Sequence, residues 1–561
     1  MKYLLLLWLP FLLCIPQGAE AQTIPVGDPL EEYVRYLYLD GNPSFNIRPI
    51  SGIEIGTAGV FPVPEHSGAK RMQQGTRRKV HPWQDVQLFN SDVRSLYGLY
   101  TPSLMTTYNS EMAFGQNDGA LWQGRGLNSA VSFGGYLDVG PLHVSFRPVI
   151  TYSQNREFEL SPFDAHPEVS AFSAPFDRRY DVPQRFGSDP FSRFDLGESS
   201  VELQYKGFAA GVSNKNIWTG PAVQNPILFS NNAPGFLHGF LGTYRPVTTP
   251  IGSFEGRLIW GGLRESDYFD EDPGNDLRFI NAVTLNYSPS FIPGLSIGAV
   301  RTFLLTYPED GLDTSDFFSV AIPFTKENFY SEDSPQGNDD GYQMISLFGR
   351  WAFPSAGFEV YGEWARNDHS RDNRDLSIHF THARAFMFGG VKRLELSGNR
   401  WLVFNTEWTN ISAERGGSSE YRSAGTYYTN GTVIQGFTNR GQLMGAAIGP
   451  GSDSQLGKVR LYDEWGLAGL SFNRIDYQQD RLERNLDTIN SAQEGTYQRY
   501  ELNEVEYRFG LHGLVFLPYN LEVQADIYQS RFFNRHNIYG DDVSNTNVQV
   551  TVRYQLESFR R

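Results

Sequence analysis

The sequence is poor in cysteine and in long apolar runs. Its one cysteine, Cys14, lies in the apolar stretch at the N-terminus. Without further cysteines the chain has no disulfide, no thiol nucleophile and no thiolate metal site. After the N-terminus no run reaches the roughly 18–20 apolar residues that a membrane-spanning helix needs, and the mean hydropathy is −0.40. These absences exclude a helical membrane protein and a small disulfide-stabilised domain.

Positive charge and catalytic motifs are scarce as well. The chain has 47 Lys and Arg against 63 Asp and Glu, a net charge of −16, which argues against a nucleic-acid partner. It contains no G-x-S-x-G, H-E-x-x-H or phosphate-loop motif. His379 and His382 form an H-x-x-H pair, but no third ligand lies in register with them. We therefore predict no enzyme activity, no metal and no cofactor.

The N-terminus has the pattern of a secretory signal. Lys2 is followed by an apolar segment over residues 4–15, and Ala19-Glu20-Ala21 is an A-x-A cleavage site. This pattern predicts a signal peptide over residues 1–21 and an exported mature protein.

The stretch from Gln343 to Arg366 shows why the exported protein is predicted to be a barrel. Apolar or small residues alternate with polar ones along Gln343–Phe353 and again along Phe358–Trp364, with the tight turn Pro354–Gly357 between them. Such period-2 alternation indicates a strand with two unlike faces. One face carries Arg and Glu, which are almost never fully buried unless paired. A transmembrane β-barrel accounts for both faces, because lipid contacts the apolar side and a wet lumen contacts the charged side.

Connection lengths support the same fold. Tight turns such as Val139–Pro141 and Ser397–Asn399 alternate with long segments rich in Asp, Asn, Ser and Gly, as expected for an outer-membrane barrel. We predict an all-β protein, a transmembrane antiparallel β-barrel of about 16–18 strands over residues 111–561. Residues 22–110 are predicted to form a short periplasmic helical and irregular segment. Its helix should begin at Asp28, a good N-cap before Pro29, and should pack on the lower rim of the barrel.

Three stretches carry a resemblance to a known family. The first is Asn-Asp-Gly-Ala-Leu-Trp-Gln-Gly-Arg-Gly at residues 117–126. The second joins Trp218-Thr219-Gly220-Pro221 to Leu-Phe-Ser-Asn-Asn-Ala-Pro-Gly-Phe at residues 228–236. The third is Gly-Phe-Thr-Asn-Arg-Gly at 436–441, followed by Ile-Gly-Pro-Gly-Ser-Asp-Ser at 448–454. Together, and in this order, they resemble the Wzi-type capsule assembly family.

The resemblance implies an outer-membrane barrel of about eighteen strands that retains or assembles capsular polysaccharide as a lectin-like protein. The implied partners are capsular or surface polysaccharide, outer-membrane lipid and a periplasmic export or assembly partner. The sequence departs from the family in having one good N-terminal helix where the family has a small bundle.

Saccharide binding uses aromatic ring faces together with amide, carboxylate or guanidinium groups that bind hydroxyls. The three stretches offer this mixture of side chains. For any one residue the alternative is packing, a girdle position or a loop folded into the lumen. The predicted polysaccharide-binding residues are Trp122, Gln123, Arg125, Asn128, Trp218, Asn231, Asn232, Arg440, Ser452 and Asp453.

Charged residues on the strands leave two further alternatives open. In the first, they line an ion- or sugar-selective channel. In the second, which we favour, they form an internal salt-bridge ladder that plugs and stiffens the barrel. The alternative function is therefore a porin or sugar-uptake channel. The residues concerned are Arg147, Arg350, Glu359, Glu363, Glu504, Glu506, Arg508 and Arg553.

Overall fold

The computed structural model describes most of the mature chain. The described residues are 26–37, 39, 47–48, 82–83, 97–163, 169–175, 178–321, 341–367, 373–378, 383–412 and 427–554. The predicted signal peptide and the His379/His382 pair lie outside these residues.

The chain folds into a closed antiparallel barrel of eighteen strands, β1–β18, which confirms the predicted fold class. Strands β3, β4 and β6 are each interrupted and consist of two pieces. The strand β1 closes the barrel by pairing with β18, with Leu104 opposite Val552. In chain order the strands are Tyr97–Asn109, Gly126–Val139, Leu142–Phe146 with Val149–Ser153, Phe191–Asp195 with Ser200–Tyr205, Phe208–Ser213, His238–Thr243 with Val247–Thr249, Gly252–Arg264, Leu277–Pro289, Leu295–Thr306, Gly341–Phe353, Phe358–Asn367, Arg384–Leu396, Arg400–Asn410, Asp453–Asp463, Gly466–Tyr477, Glu504–Leu517, Leu521–Phe533 and Val543–Tyr554.

The predicted alternation of faces is confirmed on β10 and β11. Leu347 and Trp351 are exposed on the outside of the barrel, whereas Arg350, Glu359 and Glu363 are buried inside it. The apolar exterior suits lipid, because each strand then presents every second side chain to the bilayer.

Connections alternate around the barrel as predicted. Turns such as Asp463 to Gly466 and Leu517 to Leu521 form a short-turn rim, and every long connection emerges at the opposite end, the long-loop rim. In outer-membrane barrels the short turns face the periplasm and the long loops face the cell exterior. We use this orientation below.

The barrel wall begins before the predicted boundary at residue 111, because β1 occupies Tyr97–Asn109. Alternation along this strand is broken by a register shift between Tyr100 and Ser103, beside Pro102. A bulge of this kind inserts an extra residue and reverses which face the following side chains occupy.

The predicted N-terminal helix is present as α1, Pro29–Leu37. The carboxylate of Asp28 caps it by accepting a 2.9 Å hydrogen bond from the Leu30 amide. The helix lies inside the short-turn end of the barrel and not on its rim, since Tyr33 stacks with Trp83 and with Trp401 of β13 at centroid distances of 4.0 and 5.4 Å.

The remaining helices of the described chain lie in the connections, all of them long except the tight turn between β10 and β11, which contains Pro354–Ala356. Three are α-helices, Asn373–Ile378, Gln479–Arg484 and Leu486–Ser491; 3-10 turns span Asp316–Ala321, Pro354–Ala356, Arg499–Glu501 and Arg535–Asn537. Among the described residues, no helix has both the length and the apolar character to cross a membrane.

Two long connections turn back into the lumen. Residues 214–237, between β5 and β6, and residues 427–452, between β13 and β14, are mostly buried. The two-residue strand Ile47–Arg48 pairs with Trp218–Thr219 of the first segment. Within the second segment, Thr438–Asn439 forms a short hairpin with Gln442–Leu443. We call these two segments the plug. Most of the apolar core of the molecule lies where the plug and α1 meet the inner wall.

Candidate functional site

A single wall carboxylate holds the first plug segment. Glu407 of β13 accepts hydrogen bonds from three consecutive backbone amides, those of Val223, Gln224 and Asn225, with the shortest distances 2.7 Å for Val223 and 2.8 Å for Asn225. The Tyr361 hydroxyl donates to the same carboxylate at 3.2 Å. Because buried amides need acceptors and charge-assisted bonds are the stronger ones, Glu407 is a main anchor of the plug.

Two further wall carboxylates, both on β11, extend this anchoring. Glu363 accepts from the Ile227 amide at 3.1 Å. Glu359 binds Arg35 of α1 at 2.7 Å and Arg350 of β10 at 2.6 Å. Arg35 also donates to the Pro221 carbonyl at 2.7 Å. Helix, plug and wall are therefore joined through Arg35 and Glu359, and the predicted salt bridge is present between Arg350 and Glu359.

The two plug segments also bind each other. Ser230 donates to the carbonyl oxygens of Met444 and Gly445, at 3.0 and 2.7 Å. The Asn232 amide donates to the Leu443 carbonyl at 3.1 Å, and that of Asn439 to the Pro234 carbonyl at 3.2 Å. The family-like stretches at 228–236 and 436–441 thus meet in the middle of the lumen.

Five of the predicted polysaccharide-binding residues are buried in these internal contacts. The Asn128 amide donates to the Gly124 carbonyl at 2.9 Å, and that of Asn231 donates to the Val26 carbonyl at 3.1 Å. Their side chains maintain the plug and the loop before β2, so they face no solvent in this structure. The five buried residues are Gln123, Asn128, Trp218, Asn231 and Ser452.

Three more of the predicted residues are half-buried but bound within the protein. Arg125 donates to the Ser110 and Glu157 carbonyl oxygens, and Asn232 joins the plug segments. Asp453 lies on the outer side of β14, where it accepts from Trp408 and Asn410 at 3.1 and 3.0 Å. The structure therefore does not bring these side chains together into one surface.

Trp122 and Arg440, the remaining two, lie near each other at the long-loop rim. The Trp122 ring centroid is 5.0 Å from that of Phe186 and 6.2 Å from that of Phe191. Arg440 is joined to this group through its neighbour Gly441. Gly441 packs closely on Phe186, since a Cβ atom added to Gly441 would lie 2.9 Å from the ring. The φ of Gly441, +76°, also favours glycine.

Two further residues complete this surface, and like Phe186 and Phe191 they were not among the predicted site residues. The Arg193 guanidinium lies over the Phe186 and Phe191 rings, 4.5 and 4.8 Å from their centroids. Tyr268 contacts Phe186 edge-on at 5.8 Å. Burial raises the pKa of Tyr268, with the Asp267 charge adding to the rise, so its hydroxyl remains a donor at neutral pH. We call Trp122, Phe186, Phe191, Arg193, Tyr268 and Arg440 the mouth patch.

The charges of the mouth patch are only partly neutralised. Arg440 binds Asp195 of β4 at 2.8 Å and keeps 39% of its side chain exposed. Arg193 forms no salt bridge with any carboxylate of the described chain, although Asp267 lies near enough to influence it. Half-buried rings beside guanidinium groups can contact the C–H face of a sugar and its oxygens at the same time.

Beside the mouth patch, Glu265 couples the loop after β7 to the plug by accepting a hydrogen bond from Gln435. Burial, with nearby carboxylates including Asp270, raises the pKa of Glu265 to about 8. A raised carboxyl pKa means that the folded state favours the protonated form. Protonated Glu265 therefore stabilises the fold fully below about pH 4.5, the pKa of this carboxyl in the unfolded chain. This stabilisation is lost as the pH rises to about 8, the pKa in the folded protein.

We therefore expect Glu265→Gln to flatten the pH dependence of stability. Between pH 5 and pH 8.5 the wild type should lose about 1–2 kcal/mol more than the variant, a figure discounted for solvent screening at this half-buried site. Thermal unfolding in detergent micelles measures the difference. Equal losses in the two proteins would contradict the assignment.

Among the described residues, no group of three or more His, Cys, Asp or Glu side chains is arranged to hold a metal ion. The mouth patch is built from aromatic and guanidinium groups above a plugged lumen.

Comparison with known proteins identifies the family. The family described as capsule assembly protein Wzi matches residues 99–507. The chain belongs to this family. The Wzi-type resemblance drawn from the three sequence stretches is thereby confirmed.

Solved structures agree on the fold. The chain is similar to Wzi, an outer membrane protein of Escherichia coli described as a carbohydrate-binding β-barrel involved in group 1 capsule assembly. The identity is 12%, the TM-score 0.58, and the match covers 96% of this chain and 100% of that one. The predicted outer-membrane location agrees with this family and with the apolar exterior of the barrel.

Porin-like barrels are more distant. OccAB2 of Acinetobacter baumannii has a TM-score of 0.38 at 12% identity, covering 81% of this chain and 98% of that one. A BenF-like porin of Pseudomonas fluorescens has a TM-score of 0.39 at 9% identity, covering 82% and 99%. Among curated proteins no significant match is found.

Proposed function

We propose that this member of the Wzi family binds capsular polysaccharide at its extracellular mouth and helps to organise it at the cell surface without cleaving it. The observation that carries the proposal is the mouth patch, which places three half-buried aromatic rings and two guanidinium groups at the long-loop rim. The half-buried rings are those of Trp122, Phe191 and Tyr268, and Phe186 is buried beneath them. The family and the carbohydrate-binding barrel that this chain resembles support the same function.

The plug favours binding over transport. Wall carboxylates fix residues 214–237 across the lumen, and the second segment binds the first from the extracellular side. A porin needs a water-filled path through the barrel. We infer that the charged lumen residues serve mainly as internal partners for the plug and for one another.

Substitutions in the mouth patch test the proposal. Arg193→Gln should weaken binding of the capsular polysaccharide purified from the source bacterium by about tenfold, because a charge-assisted hydrogen bond is lost. Trp122→Ala should weaken it by several-fold through loss of a ring face. Microscale thermophoresis of the detergent-solubilised protein measures both changes.

Strand β4 supplies one further test position and its matched control. Phe191 and Phe194 lie on the same strand, but Phe191 faces the mouth patch and Phe194 is exposed on the lipid side. Phe191→Leu should reduce binding and Phe194→Leu should not. Unchanged binding by Arg193→Gln, Trp122→Ala and Phe191→Leu together would remove the mouth patch as the site.

Two further parts of the proposal have separate tests. If the protein binds without turnover, incubation with purified capsule should release no reducing sugar above a heat-denatured control. The periplasmic partner that the family resemblance implies should be recovered by cross-linking at the short-turn rim, the end of the barrel that contains α1. Outer-membrane lipid should cover the apolar exterior.

A further inference from the structure

A second group of aromatic side chains stands on the long-loop rim, away from the mouth patch. Tyr497 and Tyr539 stack almost in parallel, with ring centroids 4.5 Å apart and an interplanar angle of 13°. Tyr500 lies in the same loop as Tyr497 and is 77% exposed, and Tyr539 is 55% exposed. We call Tyr497, Tyr500 and Tyr539 the tyrosine platform.

The platform is built on an ordered support. Its loops join β15 to β16 and β17 to β18, and they rest on the helices Gln479–Arg484 and Leu486–Ser491. Buried Leu482, Ile489 and Leu502 pack these helices together, with Tyr497 packed against them. Ordered loops hold rings at fixed positions, which lowers the entropic cost of binding.

Hydrogen bonds set the two stacked rings in place. The Asn490 side chain accepts from the Tyr497 amide at 2.9 Å and donates to the Tyr497 carbonyl at 3.0 Å. Gln493 accepts from the Tyr539 amide at 3.0 Å. The Tyr497 hydroxyl donates to the Glu494 carbonyl at 2.9 Å. The Tyr497 ring is therefore held at its backbone and at its phenol oxygen, and it supports the exposed ring of Tyr539.

Charge distinguishes the platform from the mouth patch. The nearby Arg499 is already paired with Glu483 at 3.0 Å, whereas Arg193 of the mouth patch forms no salt bridge within the part of the chain that the structure describes. Exposed rings whose neighbouring cation is already paired suit the uncharged C–H face of a sugar ring.

We propose that the tyrosine platform is a second saccharide contact, which binds the C–H faces of sugars further along the same polysaccharide chain. This inference rests on the proposed function. Around the wall of an eighteen-strand barrel, β4 and the strands β15–β18 that carry the platform loops are about 25–30 Å apart. The loop between β3 and β4 reaches towards the platform, where Phe163 packs against its support. A polymer that bridges both surfaces gains avidity, because its second contact forms at a high effective concentration. Short fragments cannot bridge them.

The test compares polymer length and variants in the full-length protein. The double variant Tyr500→Ala/Tyr539→Ala should bind full-length polysaccharide from the source bacterium about tenfold more weakly than the wild type. Its affinity for short oligosaccharides made by partial hydrolysis of the same polymer should be unchanged. Tyr500→Phe/Tyr539→Phe should bind both ligands normally, because the ring faces remain.

Tyr519 is the matched control, since it is 87% exposed but lies in the turn between β16 and β17 on the short-turn rim. Tyr519→Ala should bind normally. The inference would be overturned if the double alanine variant bound full-length polymer with wild-type affinity. It would also be overturned if the only defect of this variant were impaired insertion into lipid vesicles. If Arg193→Gln still weakens binding in that experiment, the proposed function survives. Absence of binding by the wild type would overturn both.

Discussion

Glu407→Ala should turn a closed barrel into a conducting one. In the wild type this carboxylate satisfies three consecutive plug amides. Its removal leaves buried amide donors unpaired, at a cost of about 1–3 kcal/mol for each. A total of several kcal/mol is enough to shift a docked segment from almost always in place to frequently displaced. Planar-bilayer recordings should show a silent wild type and discrete openings for the variant.

A second substitution and a control make this expectation sharper. Adding Glu363→Ala removes the acceptor of the Ile227 amide and should lengthen the openings. Asp526→Ala removes another lumen carboxylate, one that binds His512 of the neighbouring strand at 2.7 Å, and should stay silent. A folded Glu407→Ala variant that never conducts would show that the plug does not depend on this anchor. Steady currents in the wild type would favour the porin alternative.

The barrel could be predicted from sequence because its physical signal is local. Along β10 and β11 lipid and lumen select opposite residue types at adjacent positions, so ten residues are enough to reveal the strand. The tight turn Pro354–Gly357 then fixes the hairpin. The signal fails where the backbone departs from regular pairing, as it does in β1, where the register shift after Tyr100 breaks the alternation.

The candidate site was less predictable because its contacts are long-range. The stretch at residues 228–236 contains suitable amides, but nothing local shows that Asn231 donates to the Val26 carbonyl, 205 residues away in the chain. Phe186, Arg193 and Tyr268 come from separate segments and share no motif. Only Trp122 and Arg440, whose stretches end at the long-loop rim, kept solvent-facing side chains beside one another.

Glu359→Ala should destabilise the protein more than most single substitutions. The carboxylate is fully buried between two guanidinium groups, those of Arg35 and Arg350, which are themselves at most 10% exposed. Removing one member of a buried ion pair leaves uncompensated charge and costs about 3–5 kcal/mol. Here two cations lose their common partner, so we expect the upper part of that range. Unfolding by guanidinium chloride in micelles, followed by tryptophan fluorescence, should show a lower midpoint.

Glu359→Ala should also loosen α1 locally, because its partner Arg35 lies on that helix. Arg35 also holds the Pro221 carbonyl and lies over the Tyr361 ring, 4.8 Å from its centroid, so α1 should become sensitive to added protease in native conditions. Glu359→Gln keeps the side-chain size and should lose less stability. The exposed pair Arg531–Asp542, with 47% and 30% of its side chains exposed, provides the control. Asp542→Ala should change stability by about 1 kcal/mol or less. A Glu359→Ala loss as small as that would mean that α1 and the plug are held by apolar packing alone.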